Sequence, residues 1–558
     1  MRGSRVENQI EVYPQWTAKM GYKTRGRDHL GLGSVSSDQI LPRLAPSINV
    51  LTFHPRYHSF YIFLLDEFWR KDLPRNMASW AKFYRPREFI FSVGCYLCNQ
   101  PEHGEMGNIV GGQKTGPLAA EEKETYNTST NYIKSTLGGF GLYYRTVMAE
   151  LGLLHPGGRG FPYPVDVPTE PLGKNIAAAF REAVQGTSYY RNYFQFDQTE
   201  VPRQVIQEYI HKACLCQLKT SEAHDRGYLR DVFEKGGPGK SAQYRKLTMR
   251  MFLDIAKQTQ EEGLNEDSFR QLIYFGEAQT GQRFVPSMNL ISISKMWRLY
   301  QVREYYSFAL NMLWDHFCIW GLENNGDHIP LKVSLFWDYL ESRIDFDYLI
   351  KSISIDFKGL TSGTSFSKLL EGLMLITGSE EQSFDQNCNF NCRINEDKLY
   401  QIGRSNRRDG KFVISGMLTM LAIIYLRFCD NNLWQESEWE ISKMGSDGRL
   451  SLDGFIRQTK RMVTDGLTIF EILKRIYENY IIQQHIIVAT RKLPDNSFRF
   501  RREGNRLRFF HHNNSIRFMS ARFDSISTTV FELGYCDDLH LPNHSLSEYG
   551  EKLLKGEV

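Results

Sequence analysis

The stretch HPRYHSFYIFLLDEFWRK, residues 54–71, sets two histidines and six aromatic residues in eighteen positions. So many rings in one place could fill a core, hold a metal, enter a membrane or stack on bases. Pro55 suits a first helical turn. Helical spacing then puts Tyr57, Tyr61, Leu64 and Phe68 in one apolar row and His58, Ile62, Leu65 and Trp69 in a second. Two adjacent rows predict a core helix buried over more than half its circumference, with Arg56, Ser59, Asp66, Glu67 and Arg70 on a narrow wet strip. His54 and His58 have the i,i+4 spacing of a zinc pair, but Pro55 stands where a metalloprotease carries its glutamate. Core filling is therefore expected, without metal.

Outward from this helix, 558 residues exceed what one core can organise, and the usual domain size gives roughly three to four domains. A net charge of +4 is too small for a general attraction to nucleic acid, so only local clustering could provide one. The opening MRGSRVENQIEVYPQW has no apolar core of a secretory signal. The longest apolar run, Val413 to Leu426, has fourteen residues against the ~20 that span a bilayer, which predicts a buried helix and no membrane contact. Nine cysteines, an odd number, fit reduced thiols in a cytoplasm better than a disulfide framework.

Residues 190–430 read as mostly helical, with apolar residues recurring at three and four in VIQEYIHKACLCQL, YRKLTMRMFLDIAKQ, EYYSFALNMLWDHF and SKLLEGLMLI. On either side lies a related ending. Glu150-Leu151-Gly152-Leu153, followed by Leu172-Gly173, is echoed by Glu532-Leu533-Gly534-Tyr535 followed by Leu546 and Gly550. Helix, reversal and helix in that order end many winged-helix domains. The expected fold class is mainly α with small β elements (α+β), a multidomain helical protein with winged-helix-like modules. The expected units are an N-terminal domain over 1–189, a helical middle domain over 190–430 and a C-terminal winged-helix-like domain over 431–558.

Incomplete motifs narrow the chemistry. In EKGGPGKSAQ, residues 234–243, Gly239-Lys240-Ser241 resembles the end of a phosphate loop, but Glu234 replaces the opening glycine and opposes an anion. Gly107, Gly112, Lys114 and Thr115 form a second near miss; both stretches are read as flexible surface loops, and no cofactor is expected. Cys95 and Cys98 are the alternative as zinc ligands, with His103 close by and Cys388 and Cys392 a second pair. The apolar run FIFSVGCYLC favours buried thiols instead, and Cys214-Leu215-Cys216 has poorer spacing still for chelation. Asp385, Glu396 and Lys398 have roughly the form of a metal-dependent nuclease, yet NCNFNCRINEDK is polar where that enzyme needs an apolar strand. No catalytic residue is assigned beyond that alternative.

The sharpest local signal runs from Arg491 to Arg522. Nine Arg or Lys stand against Asp495 and Glu503, a balance of +7 in 32 residues. Phe498 and Phe500 alternate with Arg499 and Arg501, and Leu507 and Phe509 with Arg506 and Arg508, about a Glu503-Gly504-Asn505 turn. This predicts a hairpin with one apolar and one arginine face. Thr468 and Glu471 have capping-box spacing upstream, and a further helix fits IIQQHIIVATRK. Candidate nucleic-acid contacts are Arg491, Lys492, Arg499, Arg501, Arg502, Arg506, Arg508 and Arg517.

LAPSINVLTFHPRYHSFYIFLLDEFW, KSTLGGFGLYYRTVMAELGLL and EPLGKNIAAAFREA together resemble uncharacterised bacterial proteins found among anti-phage defence genes, often beside helicases or nucleases. The resemblance covers about residues 30–185, and its motifs are structural. It implies a bacterial cytoplasmic setting, a defence role and protein partners such as a helicase or nuclease. The resulting expectation is a DNA-binding or adaptor subunit that meets duplex DNA through the basic hairpin. The alternatives are a metal-dependent nuclease and a scaffold that uses the hairpin against an acidic protein.

Overall fold

The computed structural model describes residues 28–557, apart from 105, 197, 221–222, 325–328, 354–358, 378–389, 393, 431, 433, 446–448, 494–496 and 511–515. The major helices form two bundles joined by a bridging helix. In the first, α1 (Arg56–Arg70), α2 (Met77–Leu97), α3 (Leu172–Val184), α4 (Arg203–Ala213) and α5 (Arg226–Lys235) pack on one another. The bridge is α6 (Gly239–Gln258), which touches α5, the second bundle and the C-terminal helices. The second bundle surrounds α8 (Ile291–Asn324), 34 residues long, with α7 (Glu266–Phe275), α9 (Val333–Arg343), α10 (Glu396–Ser405), α11 (Gly410–Phe428) and α12 (Glu436–Lys443). The last helices are α13 (Ile469–Ile476), α14 (Gln483–Arg491), α15 (Phe523–Glu532) and α16 (Glu548–Lys555). This is a mainly α, multidomain helical fold. Its first bundle runs past residue 189 to α5, and α8 packs on α12 beyond residue 430.

The β elements are small. β1 (Thr125–Asn127) pairs antiparallel with β4 (Glu200–Pro202), and β2 (Leu154–His155) with β3 (Val167–Pro168). A three-stranded antiparallel sheet has the order β5-β7-β6, from β5 (Leu331–Lys332), β6 (Phe500–Glu503) and β7 (Arg506–Phe509).

The aromatic stretch is the core helix α1, and its residues 56–68 are all buried. The expected wet strip is largely absent: Arg56, Ser59, Asp66 and Glu67 are covered, and Arg70 alone of that strip is exposed. Neighbouring helices supply opposite charges that make the burial tolerable. Arg56 meets Asp225 just before α5 at 3.3 Å, and Arg181 of α3 pairs with both Asp66 and Glu67. The apolar run at Val413–Leu426 lies within α11, a 19-residue helix long and apolar enough by length and composition to cross a membrane, and almost wholly buried in the bundle.

The echoed endings have the same backbone geometry. Gly152 and Gly534 end their helices with φ of 77° and 71°, a region that favours glycine. The next amides, of Leu153 and Tyr535, both reach back into the helix, to Met148 O at 2.8 Å and Val530 O at 3.0 Å. Thr169 Oγ1 then donates to Gly152 O at 2.7 Å, and Ser547 Oγ to Gly534 O at 2.8 Å. The following helices come so close that a Cβ on Gly173 would lie 2.3 Å from Leu153 O, and one on Gly550 1.9 Å from Tyr535 O. Between helix and helix the first copy has the two-residue strands β2 and β3, whereas the second has a single bridge, Cys536 to Leu546.

The two Gly-Lys stretches are not the loose loops expected. Gly239 opens α6, and Glu234 is buried, receiving hydrogen bonds from Tyr535 Oη at 2.7 Å and Tyr549 Oη at 3.3 Å. Arg245 donates to the carbonyls of Val232, Phe233 and Gly236, so this joint is held between bundle and C-terminus. Gly112–Ala120 is a helix, with Thr115 buried against Ser92.

Candidate nucleic-acid interface and a thiol cluster

The path into the basic hairpin begins at Thr468. Its hydroxyl accepts from the Glu471 amide at 3.3 Å while the Glu471 carboxylate accepts from the Thr468 amide at 2.9 Å, closing the anticipated capping box. Helix α13 continues through a wider turn at Tyr477–Ile482 into α14, burying Ile469, Ile472, Leu473, Ile476, Tyr477 and Tyr480. The hairpin register pairs Phe500 with Phe509, Arg501 with Arg508, Arg502 with Leu507 and Glu503 with Arg506.

Strand alternation follows from this register. Phe500, Leu507 and Phe509 face inward, with Phe317 5.0 Å from the Phe500 ring and 5.1 Å from the Phe509 ring. His485 is the strut behind them. Its Nε2 accepts the Arg499 amide at 3.0 Å and its Nδ1 faces His29 O at 3.2 Å. Burial, with His29 next in weight, pushes its pKa down to about 3, so the ring is neutral. The outer face carries Arg501, Glu503, Arg506 and Arg508. Lys332 joins them, because β5 pairs Lys332 with Arg506. Nothing in the sequence linked Lys332 to a hairpin 170 residues later.

The eight candidate cations divide by environment. Arg508 pairs with Glu503 at 2.7 Å and Arg502 with Glu478 at 2.8 Å. Lys492 is half-buried and its amine donates to Asp28 O; burial lowers its pKa. Arg499 is half-buried and its pKa is likewise lowered by burial. Arg501 lies over the Phe498 ring, 4.4 Å from its centroid. Arg491, Arg501, Arg506 and Arg517 are exposed and form no ion pair with a described residue. Arg517 precedes Phe518, which stacks on Tyr400 at 3.9 Å.

The nuclease residues do not converge. Glu396 and Lys398 lie in the first turn of α10, where two residues of separation point side chains nearly apart. Glu396 is buried in an ion pair with Arg427 at 2.9 Å and accepts from Tyr274 Oη at 2.6 Å, whereas Lys398 donates to Cys392 O. Asp385 and Cys388 lie outside the described residues. His54 and His58 share no site either. Nδ1 of His54 faces Glu532 at 2.8 Å and Nε2 faces Gly107 O at 2.9 Å. Both nitrogens therefore donate. Burial opposes that charge, but the Glu532 carboxylate outweighs it and raises the pKa. His58 donates from Nδ1 to Pro55 O at 2.9 Å, and burial pushes it down to about 4.

A polar cluster that the sequence argued against lies where α2 and α4 end side by side. Cys98, His103, Cys214 and Cys216 bring one donor atom each within 4.8 Å of one another. Cys98 Sγ is 3.8 Å from Cys216 Sγ, and His103 Nδ1 is 3.3 Å from Cys214 Sγ. The Cys-x-Cys spacing works because Cys214 leaves the helix with extended backbone, φ −53° and ψ 148°, and Cys216 sits in the following 3-10 turn at Leu215–Lys219. A regular helix or strand would not converge them. Cys98 belongs to this cluster, while Cys95 stays inside α2, fully buried.

No protein-family model, curated protein or solved structure matches the chain.

Proposed function

We propose that residues 469–509, with β5, form a winged-helix-like module whose hairpin meets the phosphate backbone of duplex DNA. The observation that carries this reading is the strand order β5-β7-β6, with α9 directly after β5 and α14 ending eight residues before the β6-β7 hairpin. A wing leaves a three-stranded sheet of the same strand order, and here further helices between Arg343 and Ile469 separate β5 and α9 from the rest of the module. The cations Arg501, Arg506 and Lys332 on its outer face support it. Helix α14 is an unpromising reader of bases, because Gln484, His485, Val488 and Ala489 are buried. The wing is therefore the contact, and binding is insensitive to sequence.

The module serves a DNA-binding or adaptor subunit of a bacterial cytoplasmic anti-phage complex, with a helicase or nuclease as partner. Support for that setting is the resemblance over residues 30–185. The test is the salt dependence of binding by the full chain to unrelated duplexes. Each phosphate contact contributes about −0.9 to the slope of log K against log salt, so the triple substitution Lys332→Gln, Arg501→Gln and Arg506→Gln flattens it by roughly two to three units. A folded triple variant with unchanged affinity and slope sinks the proposal and favours an acidic protein at the hairpin.

A further inference from the structure

We propose that Cys98, His103, Cys214 and Cys216 bind one zinc ion in a closed, structural Cys3His site. With Zn–S near 2.3 Å and Zn–N near 2.0–2.1 Å, tetrahedral coordination sets S···S at about 3.8 Å and S···N at about 3.5 Å. The Cys98–Cys216 separation of 3.8 Å and the His103–Cys214 separation of 3.3 Å are two opposite edges of such a tetrahedron, and between them they use all four residues. Four protein donors leave no open position, which distinguishes a structural site from a catalytic one.

Zinc binding releases the three thiol protons and leaves three thiolates around a dication, a net charge of −1. Two cationic side chains hold the backbone beside the ligands. Arg56 donates from its guanidinium to the Cys214 carbonyl, and Lys219 donates to Glu102 O at 3.1 Å, one residue before His103. The backbone is prepared as well. Gln100 Nε2 donates to His211 O at 3.0 Å and Gln217 Nε2 to Gln100 Oε1, so the two ligand-bearing segments are tied before any metal arrives. The ion would join the end of α2 to the end of α4. It would also fix the 3-10 turn at Leu215–Lys219 against α15, where Lys219 lies 4.9 Å from the Phe531 ring centroid.

The experiment uses the full chain purified without chelator. Elemental analysis is expected to find about one zinc per chain. Exchange for cobalt(II) is expected to give the thiolate charge-transfer and intense ligand-field bands of tetrahedral coordination. Cys98→Ser and Cys216→Ser each lower bound metal about tenfold or more, while Cys95→Ala and Cys429→Ser retain it. Should the serine variants not fold, an organomercurial added to the unaltered chain releases zinc to a metallochromic dye as the thiols are titrated. The proposal is overturned if folded wild-type chain neither holds nor takes up zinc. It is equally overturned if intact mass shows Cys98 and Cys216 joined as a disulfide, or if Cys95→Ala loses metal as fully as Cys98→Ser.

Discussion

The arginine hairpin and the thiol cluster are opposite cases of polar chemistry in one chain. The hairpin is conspicuous in sequence, yet much of its charge is already engaged: Arg502 and Arg508 in ion pairs, Lys492 and Arg499 half-buried. The cluster has no recognisable spacing, yet four donors converge with a cation and two glutamines arranged around them. Clustered charge in a sequence thus overstates what is available to a partner. Scattered donor atoms understate what the fold assembles.

If that contrast is right, the largest effects come from the buried polar groups near the cluster. Arg56, 1% exposed, faces Asp225, 0% exposed, and holds the Cys214 carbonyl. Arg56→Met leaves Asp225 buried without its partner, which typically costs about 3–5 kcal/mol. Urea unfolding should show this loss, and Arg56→Met with Asp225→Leu should recover most of it. A single variant within about 0.5 kcal/mol of wild type would put the buried pair in the wrong place. On the hairpin, an effect of similar class requires an inward residue. Phe509→Ala removes a ring packed on Phe317 and Phe500 and should lower stability by about 3 kcal/mol, whereas Arg506→Gln should change it by less than about 0.5.

How legible these features were depended on the distance over which the argument had to reach. The core helix, the capping box at Thr468, the hairpin with its turn and the echo between Gly152 and Gly534 all rest on local periodicity or spacing, and local rules recover them. The buried side of α1 was missed because its partners, Asp225 and Arg181, arrive from helices more than a hundred residues later. The convergence of the four donors was out of reach for the same reason. Cys98 and His103 lie close in sequence, but Cys214-Leu215-Cys216 has poor spacing for chelation unless the chain breaks there. The chain leaves its helix at Cys214, and no residue pattern announced that break. Lys332 was invisible as a neighbour of Arg506 for want of any local cue to β5.

Two histidines set a smaller, pH-dependent contrast. His54 is raised by Glu532, so the stability it contributes is complete below its unfolded value near 6.5 and is lost as pH rises through its folded value. His485 is lowered to about 3 by burial, so its contribution is complete above about 6.5 and disappears as pH falls toward 3. Melting temperatures of wild type, His54→Gln and His485→Asn over that range should therefore diverge in opposite directions: the His485 variant loses less stability than wild type on acidification, and the His54 variant loses less on going alkaline. Parallel curves for all three would remove both assignments.

The smallest effect is the most informative about the hairpin itself. Arg508 and Glu503 form an exposed pair, each more than a third accessible, and solvent screening leaves such pairs little effect on stability. Arg508→Gln should hardly move the melting temperature. Its consequence for the proposed DNA contact depends on whether the pair opens to admit phosphate. An arginine already matched by a carboxylate brings no net charge to the complex, so substitution should leave the salt slope nearly unchanged, whereas Arg506→Gln should reduce it by about 0.9. Glu503→Gln completes the comparison, because it frees Arg508 and should steepen the slope by about the amount that Arg506→Gln removes. If Arg508→Gln and Arg506→Gln flatten the slope equally while Glu503→Gln does nothing, the ion pair does not occupy Arg508 in solution, and engaged charge would no longer separate the hairpin's contact residues from the rest.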